Sequence, residues 1–552
     1  MTPATVECGD DAAAAPAGGG DTAESYLAAR VLNALLREDY GGLAARMTRT
    51  KDGVQLVLPT GRRVRLSPGR LYQDFVVAGD ESLTLDEVLG TLAGIADPAD
   101  AGGVAAFTEE CRAALRAYEL HDAHRAQVLT RLHHEPALPS TGSAGVGACS
   151  TVVYETLGAF ADHPVYPTSR SRLGLSDEEV TAYAPEFAPS FALRWAAVPI
   201  ERVTRSGDLP PWWPAAADPS YVPFPVHPLT LHAVRDIPGV IVHDEPYLMV
   251  RPTLSMRTVE VDARTHLKLP LATSTLGARN RRSIRPGTLG DGARAERLLR
   301  EVLLREPDLD VLLADEQTYA HAGHEHLGWM VRRLPPGEIV SVAALLAPSP
   351  ARPGSRVLDA LAGRHCEGNV GALLAGYLRV LFAWNVRLFV TYGVALEAHQ
   401  QNLSLVFGDG TTRLLVKDND GLLASPDRLL AAGLSVPDFA DRRLLTDDPH
   451  ALADVFVTIT LHLAAAAIAF GAGHGELVAE ALEGALAPYG GHPMARLLRA
   501  RTLDAARLVG KSMVSAGTLV DRARIGAADI NKHYGTSGPN YLRRHPRREA
   551  NH

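Results

Sequence analysis

Apolar residues recur at three- and four-residue spacing along "AESYLAARVLNALLREDY", which predicts an amphipathic helix near the start of the chain. The spacing returns in "DEVLGTLAGI" and in "GGVAAFTEECRAALRAYELHDAHRAQVLTRL", so residues 23–190 are expected to be mainly helical. The pattern then changes. Residues 191–345 carry short strand-like stretches, "FALRWAAVPI", "GVIVHD", "YLMVRPTLSMRTVEV" and "THLKLPLATST", with a Pro-rich connection, "LPPWWPAAADPSYVPFPVHP". From 346 to 535 long helical patterns return around one strand pair inside "EAHQQNLSLVFGDGTTRLLVKDNDG". Strands and helices in separate blocks indicate an α+β fold. Residues 1–22, rich in Ala, Gly and Asp, read as a disordered leader, and 536–552 as a basic flexible tail.

Composition narrows the function. The chain has 552 residues, 46% hydrophobic and 21% charged, as in an ordinary globular protein with a sizeable core. A net charge of −8 argues against nucleic acid as a partner. Cys8, Cys111, Cys149 and Cys366 are scattered without CxxC pairs, which suits a reducing cytoplasm. The N-terminal stretch lacks a basic segment followed by an apolar one, so no secretory signal is expected. "VFVTITLHLAAAAIAFGAG", Val455 to Gly473, is apolar but Ala-rich and carries His462; it is expected to be a buried helix and not a membrane span.

Several familiar sites are absent from the sequence: GxxxxGK[ST], GxSxG and HExxH. "GSAGVG", Gly142 to Gly147, reads as a flexible loop. "HAGHEH", His321 to His326, lacks a further spaced ligand set and is expected to be an exposed polar helix end. The middle block is richer in chemistry. "SMRT" supplies Ser255, Arg257 and Thr258; "HLKLPLATSTLGARNRRSIR" supplies Lys268, Thr275 and Arg279. Lys268 sits where a buried strand avoids charge, so it must be paired or hold an anion. Arg281, Arg282 and Arg285 are expected on a solvated face.

The stretch from Glu397 to Gly421 offers the complement. Glu397, Asn402 and Asp418 are hard oxygen ligands of the kind Mg²⁺ takes alongside phosphate oxygens. His399 suits a phosphate oxygen or a reacting centre, and Glu397, His399 and Gln401 share a face if the segment is extended. Cations and a carboxylate-held metal describe a nucleoside triphosphate site without a P-loop. A polar hairpin of satisfied side chains accounts for the same residues equally well.

Four ordered segments resemble the NRPS-independent siderophore synthetases of the IucA/IucC type. They are "HPVYPTSRSRLGLSDEEVTAYAPEFAPSFALRWAAV", "PVHP", "SMRTV" with "HLKLPLATSTLGAR", and "EAHQQN" with "VKDNDG", spanning roughly 155–425. The resemblance implies a hand-like fold, with 23–190 as thumb, 191–345 as fingers and 346–535 as palm, and ATP between fingers and palm. It implies adenylation of a carboxylic acid, often citrate, then attack by an amine or hydroxyl nucleophile, with AMP and pyrophosphate released. By matching position, Ser255, Arg257, Thr258, Lys268, Thr275 and Arg279 fall in the phosphate-binding set. His399 and Gln401 fall in the nucleotide and reaction region, with His399, Arg279 and Lys268 as the implied catalytic groups, and Glu397, Asn402 and Asp418 form the Mg²⁺ set. His163, Tyr166, Arg170 and Arg172 are expected to bind the acid. Homodimers are common among such proteins.

Departures from the pattern occur at Tyr166, where a second His is common, at Arg170, where Lys is common, and at Lys417, where Arg is usual. They put the identity of the acid in question. A kinase-like phosphotransferase would use similar Lys, Asn and Asp chemistry with Mg²⁺, and a non-catalytic ATP-binding protein is the third class. AMP against ADP as product separates the first two.

Overall fold

The computed structural model describes residues 20–51, 53–69, 71–135, 150–408, 410–525 and 533–544. The leader at 1–19, the glycine loop at 142–147, Cys8 and Cys149 lie outside these residues. Gly20–Thr22 do not belong to a leader; they open the helix Gly20–Arg37.

That helix packs Leu27, Val31 and Leu35 against the helices Leu85–Ile95 and Ala101–His133. Thr84 and Glu87 form a capping box that starts the second of them. The first block is less helical than expected. It contains an antiparallel meander, Met47–Thr50, Gly53–Val57, Arg63–Pro68 and Phe75–Val77. Val64 and Leu66 face the core while Arg63 and Arg65 face solvent, the period-two pattern of a half-buried strand.

The strand-rich middle block forms a seven-stranded sheet. Its order is Phe191–Ala192, Met249–Pro252, Thr258–Asp262, Thr265–Lys268, Leu327–Arg333, Asp315–His324 and Thr204–Ser206. "HAGHEH" lies at the hairpin joining Asp315–His324 to Leu327–Arg333, not at a helix end. Antiparallel pairing brings Thr258 opposite Lys268, so the cation ends a central strand at the sheet's edge toward the last block.

There a four-stranded sheet takes the order Val311–Leu313, Thr411–Val416, Leu403–Gly408 and Glu338–Ser341, with the first pair parallel. The helix Val370–Arg387 covers it, and its Leu374, Leu378 and Leu381 join the largest core cluster. Among the described residues two helices are long and apolar enough to cross a membrane, Val370–Tyr392 and Pro449–Gly471, but 72% and 89% of their most apolar windows are buried in the fold. The second contains the expected buried segment, with Phe456–Ala466 wound as a π-helix.

The expected flexible tail is in part a structural element. Tyr534–Pro539 pairs with Arg507–Lys511, and Tyr541 and Leu542 insert into the main core. Aromatic and leucine burial outweighs the basic character of the surrounding residues. Residues 545–552 lie outside the described residues.

Candidate active site

A cavity of about 720 Å³ opens where the three blocks meet. His163, Arg170, Arg172, Ser255, Arg257, Lys268, Thr275, Arg279, Glu397, His399 and Gln401 line it. Segments far apart in sequence thus share one space. Tyr166, Thr258, Asn402 and Asp418 are not among the lining residues.

The loop from His163 to Arg172 is held from behind. Arg30 donates to the carbonyls of His163 and Tyr166, and Arg37 to that of Val165. His163 Nδ1 accepts from the backbone N–H groups of Val165 and Tyr166 at 3.1 and 2.9 Å. This fixes the neutral tautomer with the proton on Nε2. Burial, with His399, Arg30 and Lys511 adding repulsion, pushes the His163 imidazole down to about 3. His227 and His492 cap their chains the same way, each followed by Pro. The loop ends at a helix Asp177–Tyr183 started by a Ser176–Glu179 capping box.

Two expected acid ligands are committed elsewhere. Tyr166 is fully buried within the core of the first block. Its ring has no cavity surface because the backbone around it is pulled toward Arg30 and Arg37. Arg170 reaches the cavity wall, but its fork is spent on Asp162 at 2.9 Å, His121 Nδ1 at 2.7 Å and the Phe160 carbonyl at 2.6 Å. It therefore acts as a buried brace. Arg172 donates to the carbonyls of Ser169 and Ser171, with Glu186 at 3.8 Å.

On the opposite wall, residues 397–402 form a turn and not a strand: His399 N–H donates to Glu397 O, and Asn402 N–H to His399 O. Glu397, His399 and Gln401 still reach the cavity, but through the turn and not through period-two alternation. Asn402 Nδ2 donates to the Glu397 carbonyl at 3.1 Å. The Glu397 carboxylate lies over Gly421, where an added β-carbon would sit 2.3 Å from Oε2.

Lys268 is paired, as its buried setting requires. Its Nζ lies 2.5 Å from Asp418 Oδ1 and 3.3 Å from Asp420 Oδ2. Burial works against the Asp418 carboxylate, but Lys268, Arg332 and Arg257 outweigh it and hold the group well below the usual range. Asp418 adopts φ of 63°, and its N–H donates to Glu316, which also accepts from Arg332 at 2.5 Å. Lys417 pairs with Glu155 at 2.5 Å. Among the described residues no group of three or more His, Cys, Asp and Glu is arranged to hold a metal. Asp418 is turned to Lys268, while Asp420, outside the expected metal set, lines the cavity with Glu397.

The phosphate set is divided too. Arg279 donates to the carbonyls of Ala516 and Val520, bracing the turn Ser515–Leu519. Ser255 Oγ caps the Thr258 N–H, and Thr258 itself is buried in its strand. Arg257 donates to the carbonyls of Arg282 and Ser283, and Arg282 Nε to Thr275 Oγ1. Burial, then Arg257 and Arg172, push the Arg282 guanidinium down to about 9. Three guanidinium groups thus crowd one wall. Arg282, expected on a solvated face, was missed because "RNRRSIR" looks like any exposed basic run. Lys511, which repels both His163 and His399, carries no local sequence signal. Burial, opposed by Asp418 and reinforced by Lys511 and Arg282, pushes His399 down to about 4.

Residues 150–347 match the family model described as "IucA / IucC family". The likeness to the IucA/IucC family is thus a match over residues 150–347. Residues 372–507 match a second model, "Ferric iron reductase FhuF-like transporter". The uncharacterised protein y4xN of Sinorhizobium fredii is 30% identical over 327 residues, covering 49% of this chain and 51% of the relative. Staphyloferrin B synthase of Staphylococcus aureus is 26% identical over 355 residues, covering 54% and 58%. The chain thus spans about half the length of the curated relatives it matches. The fold is shared with the petrobactin biosynthesis protein AsbB of Bacillus anthracis, with a TM-score of 0.70 at 16% identity over 94% of this chain and 96% of that one. ATP-bound aerobactin synthetase IucA of Klebsiella pneumoniae gives a TM-score of 0.67 at 16% identity, covering 94% and 99%. Within the IucA/IucC pattern, the departures at Tyr166 and Arg170 concern side chains that pack or brace, not side chains with free donors in the cavity.

Proposed function

We propose that the chain is an ATP-dependent siderophore synthetase that adenylates a carboxylic acid, citrate or a related polycarboxylate, and joins it to an amine or hydroxyl nucleophile. The observation that carries this reading is the cavity wall shared by Arg172, Arg257 and Arg282, where burial and then the two neighbouring guanidinium groups make Arg282 hold its proton less tightly than usual. Such a wall is matched by polyanions, both phosphates and a polycarboxylate. The match of residues 150–347 to the IucA/IucC family model and the fold shared with ATP-bound aerobactin synthetase IucA support ATP as the adenylyl donor. The blocks 23–190, 191–345 and 346–535 then act as thumb, fingers and palm around the cavity.

In this scheme a carboxylate oxygen of the acid attacks the α-phosphorus and the bond to pyrophosphate breaks. The nucleophile then attacks the acyl carbon, the bond to AMP breaks, and an amide or ester forms. His163 presents an Nε2 proton as a donor, and neutral His399 is suited to take the nucleophile's proton. Mg²⁺ would neutralise phosphate charge here. Glu397, Asn402 and Asp418, with Asp420, are the oxygen ligands proposed for it. Lys268 must share Asp418 with the ion, and phosphate oxygens complete a set that these side chains do not close alone.

The test is incubation with ATP, Mg²⁺, hydroxylamine and a panel of citrate, 2-oxoglutarate, succinyl and amino-acid substrates. Hydroxamate with AMP and pyrophosphate is expected. ADP in place of AMP would instead establish a phosphotransferase, and ATP bound but not turned over would leave a non-catalytic ATP-binding protein.

A further inference from the structure

Glu110 belongs to no motif. It lies in the helix Ala101–His133, 1% exposed, in the first block. Its two carboxylate oxygens bond to two different segments behind the cavity wall. Oε1 accepts from Thr168 Oγ1 at 2.7 Å, and Thr168 belongs to the His163–Arg172 loop. Oε2 accepts from Thr518 Oγ1 at 3.0 Å, and Thr518 belongs to the turn Ser515–Leu519. Thr518 Oγ1 in turn accepts from the Ala278 N–H at 3.0 Å. The same turn receives Arg279 at Ala516 O and Val520 O, and its Gly517 O accepts the Arg279 N–H.

These segments are pressed together as closely as backbone allows. A β-carbon at Gly103, one helical stretch before Glu110, would lie 1.9 Å from Leu519 O. A β-carbon at Gly277 would lie 3.0 Å from the Gly517 backbone. Two threonine hydroxyls buried here need an acceptor, and only Glu110 is bonded to both. Tyr166 packs in the same core, its hydroxyl 3.8 Å from where a β-carbon at Gly517 would stand.

We propose that Glu110 is a positioning residue with two separable arms, one through Thr168 setting the acid-side loop and one through Thr518 setting the phosphate-side loop. The proposal rests on the synthetase reading above. It makes a prediction that ordinary packing does not. Breaking one arm should disturb one substrate and spare the other.

The experiment is steady-state kinetics of AMP formation with Thr168→Val, Thr518→Val, Glu110→Ala and Glu110→Gln, with calorimetric ATP binding alongside. Thr168→Val should raise the KM for the acid about tenfold and leave that for ATP within twofold. Thr518→Val should do the reverse and weaken ATP binding about tenfold. Glu110→Ala should raise both, and Glu110→Gln should recover part of each, because an amide still offers one acceptor. Threonine variants that lower kcat alone, in proportion to lost folded protein, would overturn the proposal, as would threonine variants with both KM values unchanged. If the wild-type chain forms no AMP with any acid but binds ATP, the synthetase reading fails, and the Thr518 arm is then decided by ATP affinity alone. If it neither forms AMP nor binds ATP, both readings fall together.

Discussion

Arg282→Met removes a cavity charge whose ionised form burial and neighbouring arginines disfavour. Arg282 falls from its ordinary 12.5 to about 9 because burial and the neighbouring Arg257 and Arg172 disfavour its charged form. At about 1.4 kcal/mol per pKa unit, this amounts to about 5 kcal/mol. The folded value lies below the unfolded one, so the penalty is present in full below about pH 9 and fades as pH rises toward 12.5. The variant also loses the bond from Nε to Thr275 Oγ1, worth about 1 kcal/mol. Water in the cavity screens part of the remainder, leaving an expected net gain of about 1–3 kcal/mol at pH 7. Urea unfolding of both proteins without ligand checks this. The gain should come with a loss: ATP or tripolyphosphate should bind the variant about 10- to 100-fold more weakly, the usual effect of losing one charge-assisted contact. A variant that is less stable than the wild type and binds ATP unchanged would refute the view of this wall as an anion site.

Lys268→Met should destabilise the fold by about 3 kcal/mol at pH 7, because Asp418 keeps only the more distant Arg332 and Arg257. Asp418 is held below the usual carboxylate range, so its contribution is present above about pH 4 and lost below it; the difference between the two proteins in urea unfolding should shrink there. His163→Gln should flatten the loss of stability as pH falls from about 6.5 toward 3, since the folded imidazole resists protonation over that window; unfolding midpoints across it provide the measurement. Asp420→Asn should raise the Mg²⁺ concentration for half-maximal pyrophosphate release about tenfold, and an unchanged Mg²⁺ titration would remove Asp420 from the ligand set. Tyr166→Phe should leave the ratio of hydroxamates formed from different acids unchanged, because the ring lies in the core.

The elements that proved legible were those with a strong period. The long helices near 20–37 and 370–387, the strands around Thr258 and Lys268, and the hairpin from Leu403 to Val416 all follow local patterning. The meander at 47–77 was hidden because Arg alternates with Val and Leu over only a few residues, too short to outweigh the helices on either side. The turn at 397–402 looked extended because turn and strand both bring its polar residues forward. Most of the expected site residues share one cavity, Tyr166, Thr258, Asn402 and Asp418 excepted, but the pairings were not legible. Lys268 could be seen to need a partner, yet whether that partner was a carboxylate or a ligand depended on where Asp418 and Asp420 fold back. Arg282, Lys511 and Glu110 owe their places entirely to tertiary structure.

The wall of the cavity is finished by the strand Tyr534–Pro539 and by Lys511, while its other side begins with Arg37 and Tyr72. Glu38 accepts from the N–H groups of Val514 and Ser515, and Arg507 reaches back to Asp74. During synthesis, then, the first block leaves the ribosome long before its partner exists. Its surfaces for the 513–520 turn, including the buried carboxylates of Glu38 and Glu110, must wait in water until some four hundred further residues have been added. A nascent chain halted before residue 507 would hold most of the lining residues and yet lack Lys511, Met513, Gly538 and Pro539, so the cavity closes only once that segment has been made.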